Sequence, residues 1–591
     1  MRLMSEKTYK TITHEENCTF GKLLSGYAKS VPNALSIIYG DKRLTWGELN
    51  DRVNSLANAL LDLGIEKGDK GVIMFHNCPE FVESKLALQK IGAIPVPMNF
   101  RFVASEIEYQ ANNSDATTFI FEDLWLDQVN QARPNLKKIK NYICAGKNPK
   151  DMLNYESLID KYPRSDPNVM WEITEDDPCV LLYTGGTTGL PKGAVISYSF
   201  FRKNIEATLR SIPFLLSTVK IGPAIRKVMP IPGIDRLIDS SFSKRLLSSS
   251  FTQQAMGALA PYLIGSTMLA RMMYMMRGIF EMNFMLPSPI FHIGSYGYLE
   301  FFHIQFGVPF IFPTTNVSFD PKEVFETIER ERPLMCFMVP TMYKKLVEYE
   351  DLHKYNTNSL MVTMVGGAPS HAELKKEIIE KFPNTIVMDI FGQTEVTPTT
   401  VRLDTEIDKV EEKSVGTPLA GCETRIVDEQ GNDVKPGETG EIIYRYGMMK
   451  EYYKDPKKTA ETIKDGWFYS GDLGYFDEAG GIRLVERKGE SISSGGEKIY
   501  PIEVEEILAK HPKVEEVCVI GVPDPTWGEA VRAIIQLKEG KKATSEEIID
   551  WCGGKIAGYK KPKSVLFVDF LPLTAAGKIR RGEVKKKYGE A

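Results

Sequence analysis

A loop rich in glycine and threonine, placed between two apolar runs, constrains this chain more than any other feature. The segment reads Val180-Leu-Leu-Tyr-Thr-Gly-Gly-Thr-Thr-Gly-Leu-Pro-Lys-Gly-Ala-Val-Ile196. Glycines let successive backbone N–H groups converge on an anion, and threonine hydroxyls add donors, one of which can also ligate a hard cation. We therefore predict a strand, a polyphosphate-binding loop and a second strand. The predicted phosphate ligands are Thr184, Gly185, Gly186, Thr187, Thr188, Gly189 and Lys192.

This loop differs from a Walker A loop, which ends in Gly-Lys-Ser/Thr. Here Lys192 follows Pro191 and precedes Gly193. Taken alone, such a cluster could equally be a glycine-rich turn between two strands. The whole string from Tyr183 to Ala194, however, resembles the phosphate loop of the adenylate-forming enzymes, the superfamily of acyl-CoA synthetases, luciferases and peptide-synthetase adenylation domains. The resemblance favours phosphate binding over a plain turn.

Length and composition set broad limits. A chain of 591 residues is too long for one hydrophobic core, so we expect two or more domains. The net charge of −5, from 73 basic and 78 acidic residues, gives no reason to expect nucleic acid as a partner. The eight cysteines never come within four residues of one another, which excludes a CxxC motif and suits a reducing compartment. The polar start has no apolar run of a secretory signal, so the expected location is cytoplasmic.

Helical and strand-like patterns alternate along most of the chain, which predicts an α/β fold. We expect a large N-terminal domain of stacked α/β layers over residues 1–486, with a β-rich subdomain after Val415. A hinge at 487–489 would join it to a small, mobile C-terminal α+β domain at 490–591. Within the first domain, Thr45 is a plausible helix N-cap with Glu48 three residues on.

Residues 214–285 differ in character and are predicted to be a helical, methionine-rich insertion. They carry eight Lys/Arg against three Asp/Glu, and residues 246–270 carry no charge. Serines 248–250, two glutamines and Pro261 interrupt the uncharged run, which disfavours a transmembrane span. We expect helical hairpins that cap the mouth of the acyl pocket and contact either a membrane surface, peripherally, or a second copy of the chain. A purely structural helical layer is the alternative.

Five further segments resemble motifs of the adenylate-forming family, in the family's order, and the resemblance covers roughly 40–210 and 286–580. They are Gly366–Pro369, Met388–Glu395, Trp467–Leu473, Ser494–Pro501 and Pro572–Arg580. The resemblance implies catalytic roles for Lys578, Thr184 and Glu395, with Mg²⁺ held by Thr184 and Glu395. It places Gly495 and Gly496 in the coenzyme A region. It implies that the nucleotide also contacts Gly366, Gly367, Ala368, Pro369, Asp389, Ile390, Phe391, Gly392, Gln393, Thr394, Asp472, Arg487 and Lys578.

Some of these implied contacts are specific. Phe391 would stack on adenine, Thr394 would contact the α-phosphate and Asp472 would accept both ribose hydroxyls. The hinge departs from the family, because Arg487-Lys-Gly489 stands where relatives usually have Arg-x-Lys/Asp followed by Asp/Glu. Glycine permits rotation but offers no polar anchor. A nucleotide-binding protein that no longer catalyses therefore stays open as an alternative.

The segment after the insertion indicates the kind of acid. Adenylation domains for amino acids place an Asp after Phe in this motif, whereas here His292 follows Phe291. The acyl pocket is expected at His292, Gly297, Gly367 and Gly392. The resemblance thus implies an AMP-forming acyl-CoA synthetase that uses ATP, Mg²⁺ and coenzyme A on a medium- to long-chain or bulky hydrophobic carboxylic acid. The alternatives are a ligase with a carrier-protein thiol as acceptor and a membrane-associated fatty-acid uptake protein.

Overall fold

The structure is a computed structural model that describes residues 19–590, with gaps inside that range. The residues it leaves out are 148, 185–190, 221–232, 234–235, 238, 276–281, 314–316, 369, 383, 412–413, 489, 491, 495–496, 525–527, 554, 557 and 575–577.

The first part of the chain alternates helices and strands as predicted. Its elements are α1 (Phe20–Ser30), β1 (Leu35–Tyr39), β2 (Lys42–Thr45), α2 (Trp46–Asp62), β3 (Lys70–Met74), α3 (Pro79–Lys90), β4 (Ile94–Pro97), α4 (Ala104–Asn113), β5 (Thr118–Glu122), α5 (Leu126–Ala132), β6 (Asn141–Ala145), β7 (Leu153–Asn154) and α6 (Tyr155–Lys161). The predicted N-cap is confirmed: the Glu48 N–H donates to the Thr45 hydroxyl at 3.2 Å, and the Glu48 carboxylate accepts the Thr45 N–H at 2.8 Å.

The central part carries the phosphate-loop strands, the predicted insertion and a second α/β series. Its elements are β8 (Pro178–Thr184), β9 (Lys192–Ser197), α7 (Tyr198–Thr218), α8 (Ser241–Leu247), α9 (Ser250–Leu263), α10 (Thr267–Met275), β10 (Phe284–Met285), α11 (Ile293–Tyr298), a π-helix (Leu299–Ile304), β11 (Phe310–Phe312), α12 (Pro321–Glu331), β12 (Met335–Met338), α13 (Pro340–Val347), β13 (Val362–Gly366), α14 (Ala372–Lys381) and β14 (Ile386–Gln393).

The remainder is rich in strands and ends in a small α+β unit. Its elements are β15 (Val396–Asp404), β16 (Ser414–Pro418), β17 (Glu423–Val427), β18 (Gly440–Arg445), β19 (Glu451–Tyr452), α15 (Pro456–Thr462), β20 (Ile463–Lys464), β21 (Trp467–Phe476), β22 (Ile482–Arg487), β23 (Ile492–Ser494), β24 (Glu497–Ile499), α16 (Pro501–Ala509), β25 (Val514–Asp524), β26 (Gly528–Leu537), α17 (Ser545–Trp551), β27 (Ser564–Val568) and α18 (Arg581–Tyr588).

One large sheet runs through the N-terminal domain. Strands β1, β11, β10, β12, β13 and β14 are parallel neighbours. Antiparallel strands extend the sheet into the β-rich region, namely β15–β18 and β20–β22. A second sheet, in the order β4-β3-β5-β6-β7, is parallel, whereas β8 and β9 form a separate antiparallel pair with β19. The C-terminal unit has its own sheet of β23–β27. The predicted α/β class, with a large N-terminal and a smaller C-terminal domain, is confirmed.

Within the predicted insertion the described residues include helices α8, α9 and α10 and end in β10, while its first boundary stays a prediction. Helix α7 runs on to Thr218, so residue 214 lies inside a helix that begins at the end of β9. Helix α9 packs closely on α7, because a Cβ at Gly257 would lie 2.8 Å from Nε of Arg210. Across the described ranges, we find no helix that combines the length and the apolarity needed to cross a membrane.

Candidate active site

A cavity of about 660 Å³ lies where most of the predicted site residues that the structure describes converge. Its walls come from the facing ends of β8 and β9, from α7 and α11, and from the carboxyl ends of β13 and β14. The carboxyl edge of a parallel sheet is a common place for ligand binding, because the loops that leave the strands open a crevice there. The tail of the C-terminal domain closes the cavity with Thr574 and Lys578.

The two ends of the phosphate loop lie side by side at this cavity. Thr184 pairs with Lys192 across the antiparallel β8 and β9, and both residues line the cavity. The Thr184 hydroxyl donates to the Lys192 carbonyl at 3.4 Å. The predicted ligands Gly185, Gly186, Thr187, Thr188 and Gly189 lie outside the described residues, so their roles stay predictions. The described ends place a hydroxyl and a positive charge where a polyphosphate would enter.

Glu395 also lines the cavity, and hydrogen bonds fix both its carboxylate and its backbone carbonyl. Its carboxylate Oε1 accepts a hydrogen bond from the Tyr452 hydroxyl at 2.6 Å, and its carbonyl accepts the Met449 N–H at 2.7 Å. One carboxylate and the Thr184 hydroxyl are hard oxygen donors that fit Mg²⁺, which usually takes its other ligands from phosphates and water. Within the described ranges, no cluster of three or more His, Cys, Asp or Glu could hold a metal by itself.

The alternation of β14 divides its predicted nucleotide ligands between two faces. Ile390 and Gly392 line the cavity, as do the Gln393 and Thr394 that follow. Asp389, in contrast, is buried on the other face and its carboxylate is paired with Lys375 Nζ at 2.8 Å. The Asp389 carboxylate is therefore paired inside the fold, and a contact of this residue with the nucleotide stays a prediction. Phe391 does not line this cavity, and its stacking on adenine stays a prediction.

The chain segments expected around adenosine lie beside the same cavity. Gly366 and Gly367 line it, and a Cβ at Gly366 would lie 2.7 Å from the Ile390 carbonyl, so a side chain there would collide with the next strand. Ala368 is half-buried outside the cavity lining, and Pro369 lies outside the described residues. Asp472 follows the lining residue Gly471, and its carboxylate accepts a hydrogen bond from the Gln393 side-chain amide.

His292, the N-cap residue of α11, lines the cavity, and so does Gly297 of the same helix. The Nε2 atom of His292 is buried and has no hydrogen-bond partner. Burial, with the nearby charges of Lys578 and Arg101, lowers the pKa of His292 from about 6.5 to about 4. The imidazole is therefore neutral at physiological pH and offers a polar atom to a ligand without adding charge.

This shift predicts a pH-dependent stability that His292→Asn removes. Between pH 6.5 and 4 the unfolded chain binds a proton at His292 that the folded chain rejects, so acid lowers the free energy of unfolding. From pH 7 to pH 5, the stability of His292→Asn relative to wild type should rise by about 1–2 kcal/mol. Urea unfolding at the two pH values measures this. An equal change in the exposed variant His353→Asn would contradict the assignment.

The C-terminal domain is docked with its tail motif in the cavity. Besides Lys578, an ion pair joins the C-terminal domain to the N-terminal domain: Nζ of Lys344 in α13 lies 2.8 Å from Oε1 of Glu515 in β25. At the junction, the Lys488 Nζ lies 2.8 Å from Oε2 of Glu441, while Oε1 of Glu441 accepts the Gly471 N–H at 3.1 Å. Gly489, Gly495, Gly496 and the Arg487 side chain lie outside the described residues, so the hinge and coenzyme A predictions for them stay predictions.

Comparison with known proteins agrees with this geometry. A family model described as "AMP-binding enzyme" matches residues 25–216 and 264–453, and a model described as "AMP-binding enzyme C-terminal domain" matches residues 503–578. The chain belongs to the AMP-binding enzymes. The resemblance on which the motif interpretation rests is thereby confirmed. The stretch 217–263, between the two matched parts of the first model, overlaps the predicted insertion.

Relatives of this AMP-binding enzyme match it along nearly its whole length. A feruloyl-CoA synthase from Amycolatopsis sp. is 30% identical over 563 residues, which cover 95% of this chain and 97% of the relative. A mitochondrial medium-chain acyl-CoA ligase from Bos taurus is 29% identical and covers 97% and 88%. Among solved structures, an anthranilate CoA ligase in complex with anthranoyl-AMP superposes with a TM-score of 0.78 at 23% identity, covering 97% and 98%, which shows the fold.

One wall of the cavity of this AMP-binding enzyme was not predicted from its sequence. Four apolar residues of α7 line it, spaced along one helical face, and three phenylalanines of and after the π-helix face them. The spacing was visible in the sequence but is equally typical of a helix packed in a core. The residues are Ile205, Leu209, Ile212, Leu215, Phe301, Phe302 and Phe306. Of the predicted insertion 214–285, Leu215 lines the cavity, and no described residue between 219 and 285 does. That the insertion caps the pocket mouth stays a prediction.

Proposed function

We propose that this AMP-forming acyl-CoA ligase activates a medium- to long-chain or bulky hydrophobic carboxylic acid with MgATP and transfers the acyl group to coenzyme A. The observation that carries the proposal is the set of apolar residues that α7 and the π-helix contribute to the cavity, which His292 and Gly392 also line. An apolar channel with few polar groups at one end suits an acid whose carboxylate stays at the mouth while its hydrocarbon part is buried. The names of the relatives, feruloyl-CoA synthase and medium-chain acyl-CoA ligase, agree with such acids.

In the first half-reaction, a carboxylate oxygen of the acid forms a bond to the α-phosphorus of ATP as the bond to pyrophosphate breaks. Lys578 and Lys192 bring positive charge to this end of the cavity, where negative charge moves from the carboxylate to the leaving phosphates. Mg²⁺ held at Glu395 and Thr184 would neutralise phosphate charge. Neutral His292 leaves the incoming carboxylate negative, because it supplies no acidic proton. Position and electrostatics thus account for most of the rate.

In the second half-reaction, the thiol sulfur of coenzyme A bonds to the acyl carbon as the bond to AMP breaks, and the thiol proton leaves to solvent. Lys578 occupies the cavity in the docked arrangement, so the C-terminal domain has to move before a thiol can approach from that side. The Lys488–Glu441 and Lys344–Glu515 pairs are contacts that such a movement would break or re-form. Surface pairs of this kind are individually weak, which keeps the two arrangements close in free energy.

Pyrophosphate exchange with a panel of acids tests the substrate class. We expect exchange with hydrophobic acids and little with amino acids, followed by AMP release and thioester formation when coenzyme A is added. Replacement of coenzyme A by a carrier protein bearing phosphopantetheine separates the two kinds of acceptor. Absence of exchange with every acid, in a protein that still binds ATP, would favour the alternative of a nucleotide-binding protein without catalysis.

A bulky substitution in the channel should shift the preference towards shorter acids. Ile212→Trp adds an indole to the α7 wall, so acids that reach past it should lose about 10–100-fold in kcat/KM, because overpacking costs about 1–3 kcal/mol. Short acids should be nearly unaffected. The matched control is Lys203→Trp, on the exposed side of the same helix. If both variants keep the chain-length profile of the wild type, the acyl group binds elsewhere.

A further inference from the structure

Helices α8, α9 and α10 turn apolar side chains outward, which reverses the usual arrangement of surface helices. On α9, the exposed residues Phe251, Leu259 and Tyr262 follow one face, and on α10 Met268, Met272 and Met275 do the same. Phe242 and Leu246 add a third apolar stripe, one turn apart on α8. Single exposed apolar residues are ordinary, whereas apolar stripes on three successive helices favour an interaction site.

The charged residues within α8, α9 and α10 all have one sign, and Asp239 lies two positions before α8. Residues 240–275 contain Lys244, Arg245 and Arg271 and no Asp or Glu. Arg245 is exposed and lies one position before the exposed Leu246. Methionine, phenylalanine and leucine on one face with basic residues beside them are typical of helices that lie in the interface of an anionic bilayer.

The surface is firmly attached to the body of the enzyme, so it is a built feature of the fold. Ala260 of α9 is fully buried, and Gly257 brings α9 against α7. The turn after α9 is fixed by a hydrogen bond from the Gly265 N–H to the Gln305 carbonyl, 2.6 Å long, at the end of the π-helix. Helices α8 and α9 therefore rest on α7, which also lines the cavity, whereas α10 packs on α1.

We propose that the outer faces of α8, α9 and α10 dock on an anionic membrane surface, with the apolar side chains in the interface and Lys244 and Arg245 at the headgroups. A second copy of the chain fits less well. A two-fold contact would set the patch against itself, and residues 240–275 offer no carboxylate to meet those basic side chains. Docking here would place the acyl channel one helix away from a bilayer, where hydrophobic acids concentrate.

Vesicle sedimentation tests the proposal. The wild type should partition onto phosphatidylcholine vesicles that contain phosphatidylglycerol, and more weakly onto phosphatidylcholine alone. Lys244→Gln/Arg245→Gln should weaken the partition onto the anionic vesicles by about 25-fold, because each basic side chain near such a surface contributes about fivefold. Phe251→Gln/Leu259→Gln should weaken it on both kinds of vesicle. In the variant Phe251→Trp, brominated lipid should quench the fluorescence of the indole at position 251, which reports how deeply that side chain lies in the bilayer.

The matched control is Leu124→Gln/Met170→Gln, which removes two exposed apolar side chains outside the surface. Its partition should equal that of the wild type. Equal losses in the control and the surface variants would overturn the proposal, as would a wild type that does not bind anionic vesicles. So would a dimer, measured by light scattering, that the surface variants dissociate. Adenylation of a water-soluble acid, expected to be unchanged in every variant, keeps this test separate from a failure of the proposed reaction.

Discussion

Replacing Lys578 by alanine should slow adenylate formation by about 10²–10³, the usual loss when one preorganised charge is removed from a transition state. Lys578 is the cation that the C-terminal domain brings into the cavity, close enough to His292 to lower the pKa of its imidazole. Transfer of the acyl group from a supplied acyl-adenylate to coenzyme A should fall much less, because that step follows a movement of the domain. Single-turnover assays of the two half-reactions measure the difference.

Lys541→Ala is the control, since Lys541 is an exposed lysine of the same domain. It should leave both half-reactions unchanged. Equal losses of both half-reactions in Lys578→Ala would show that Lys578 supports the fold or the docking of the domain and has no specific role in adenylation.

Replacing Glu395 by glutamine should raise the Mg²⁺ concentration for half-maximal adenylation by about tenfold or more and lower the maximal rate by about 10². Glutamine keeps the shape of the side chain and can still accept the Tyr452 hydrogen bond, so folding should survive. The acid concentration for half-maximal rate should change little, because the apolar residues of α7 and the π-helix are untouched. A Mg²⁺ titration of pyrophosphate exchange gives all three values.

The variant Tyr452→Phe separates the effect of the Glu395 charge from the effect of the hydrogen bond that holds this carboxylate. It removes the hydrogen bond behind Glu395 and keeps the carboxylate, so its Mg²⁺ requirement should lie close to that of the wild type. If Glu395→Gln titrates with Mg²⁺ like the wild type, Glu395 is not a ligand of the metal.

Much of the site was predictable because its motifs are local. The loop ends Thr184 and Lys192, the glycine pair at Gly366, Glu395 and Lys578 were each identified from a few neighbouring residues, and the fold brings all of them to one cavity. The spacing of Thr45 and Glu48 likewise predicted the capping box at the start of α2. Such features depend on the chemistry of short segments, which a single sequence displays directly.

What the sequence could not give depends on contacts between distant segments. The pairing of β14 with β13 and β15 decides which side chains face the cavity, so Asp389 turned inward to Lys375. An apolar face on α7 does not reveal whether it meets a ligand or a core. The Lys488–Glu441 pair joins residues that lie 47 positions apart in the sequence. The packing of α9 against α7, through Gly257 and Arg210, likewise depends on tertiary structure.

The π-helix at Leu299–Ile304 has a consequence for how this pocket can diversify. A π-turn holds one residue more than an α-turn, and it swings the side chains beyond it by roughly 100° relative to an α-helix. Phe301, Phe302 and Phe306 all reach the cavity from this short stretch. Loss of a single residue here would restore the α-helical phase and replace two or three aromatic rings at once, with the flanking strands left in place. A one-residue insertion or deletion can therefore change the shape of this wall of the cavity in one step, whereas point substitutions would need several steps.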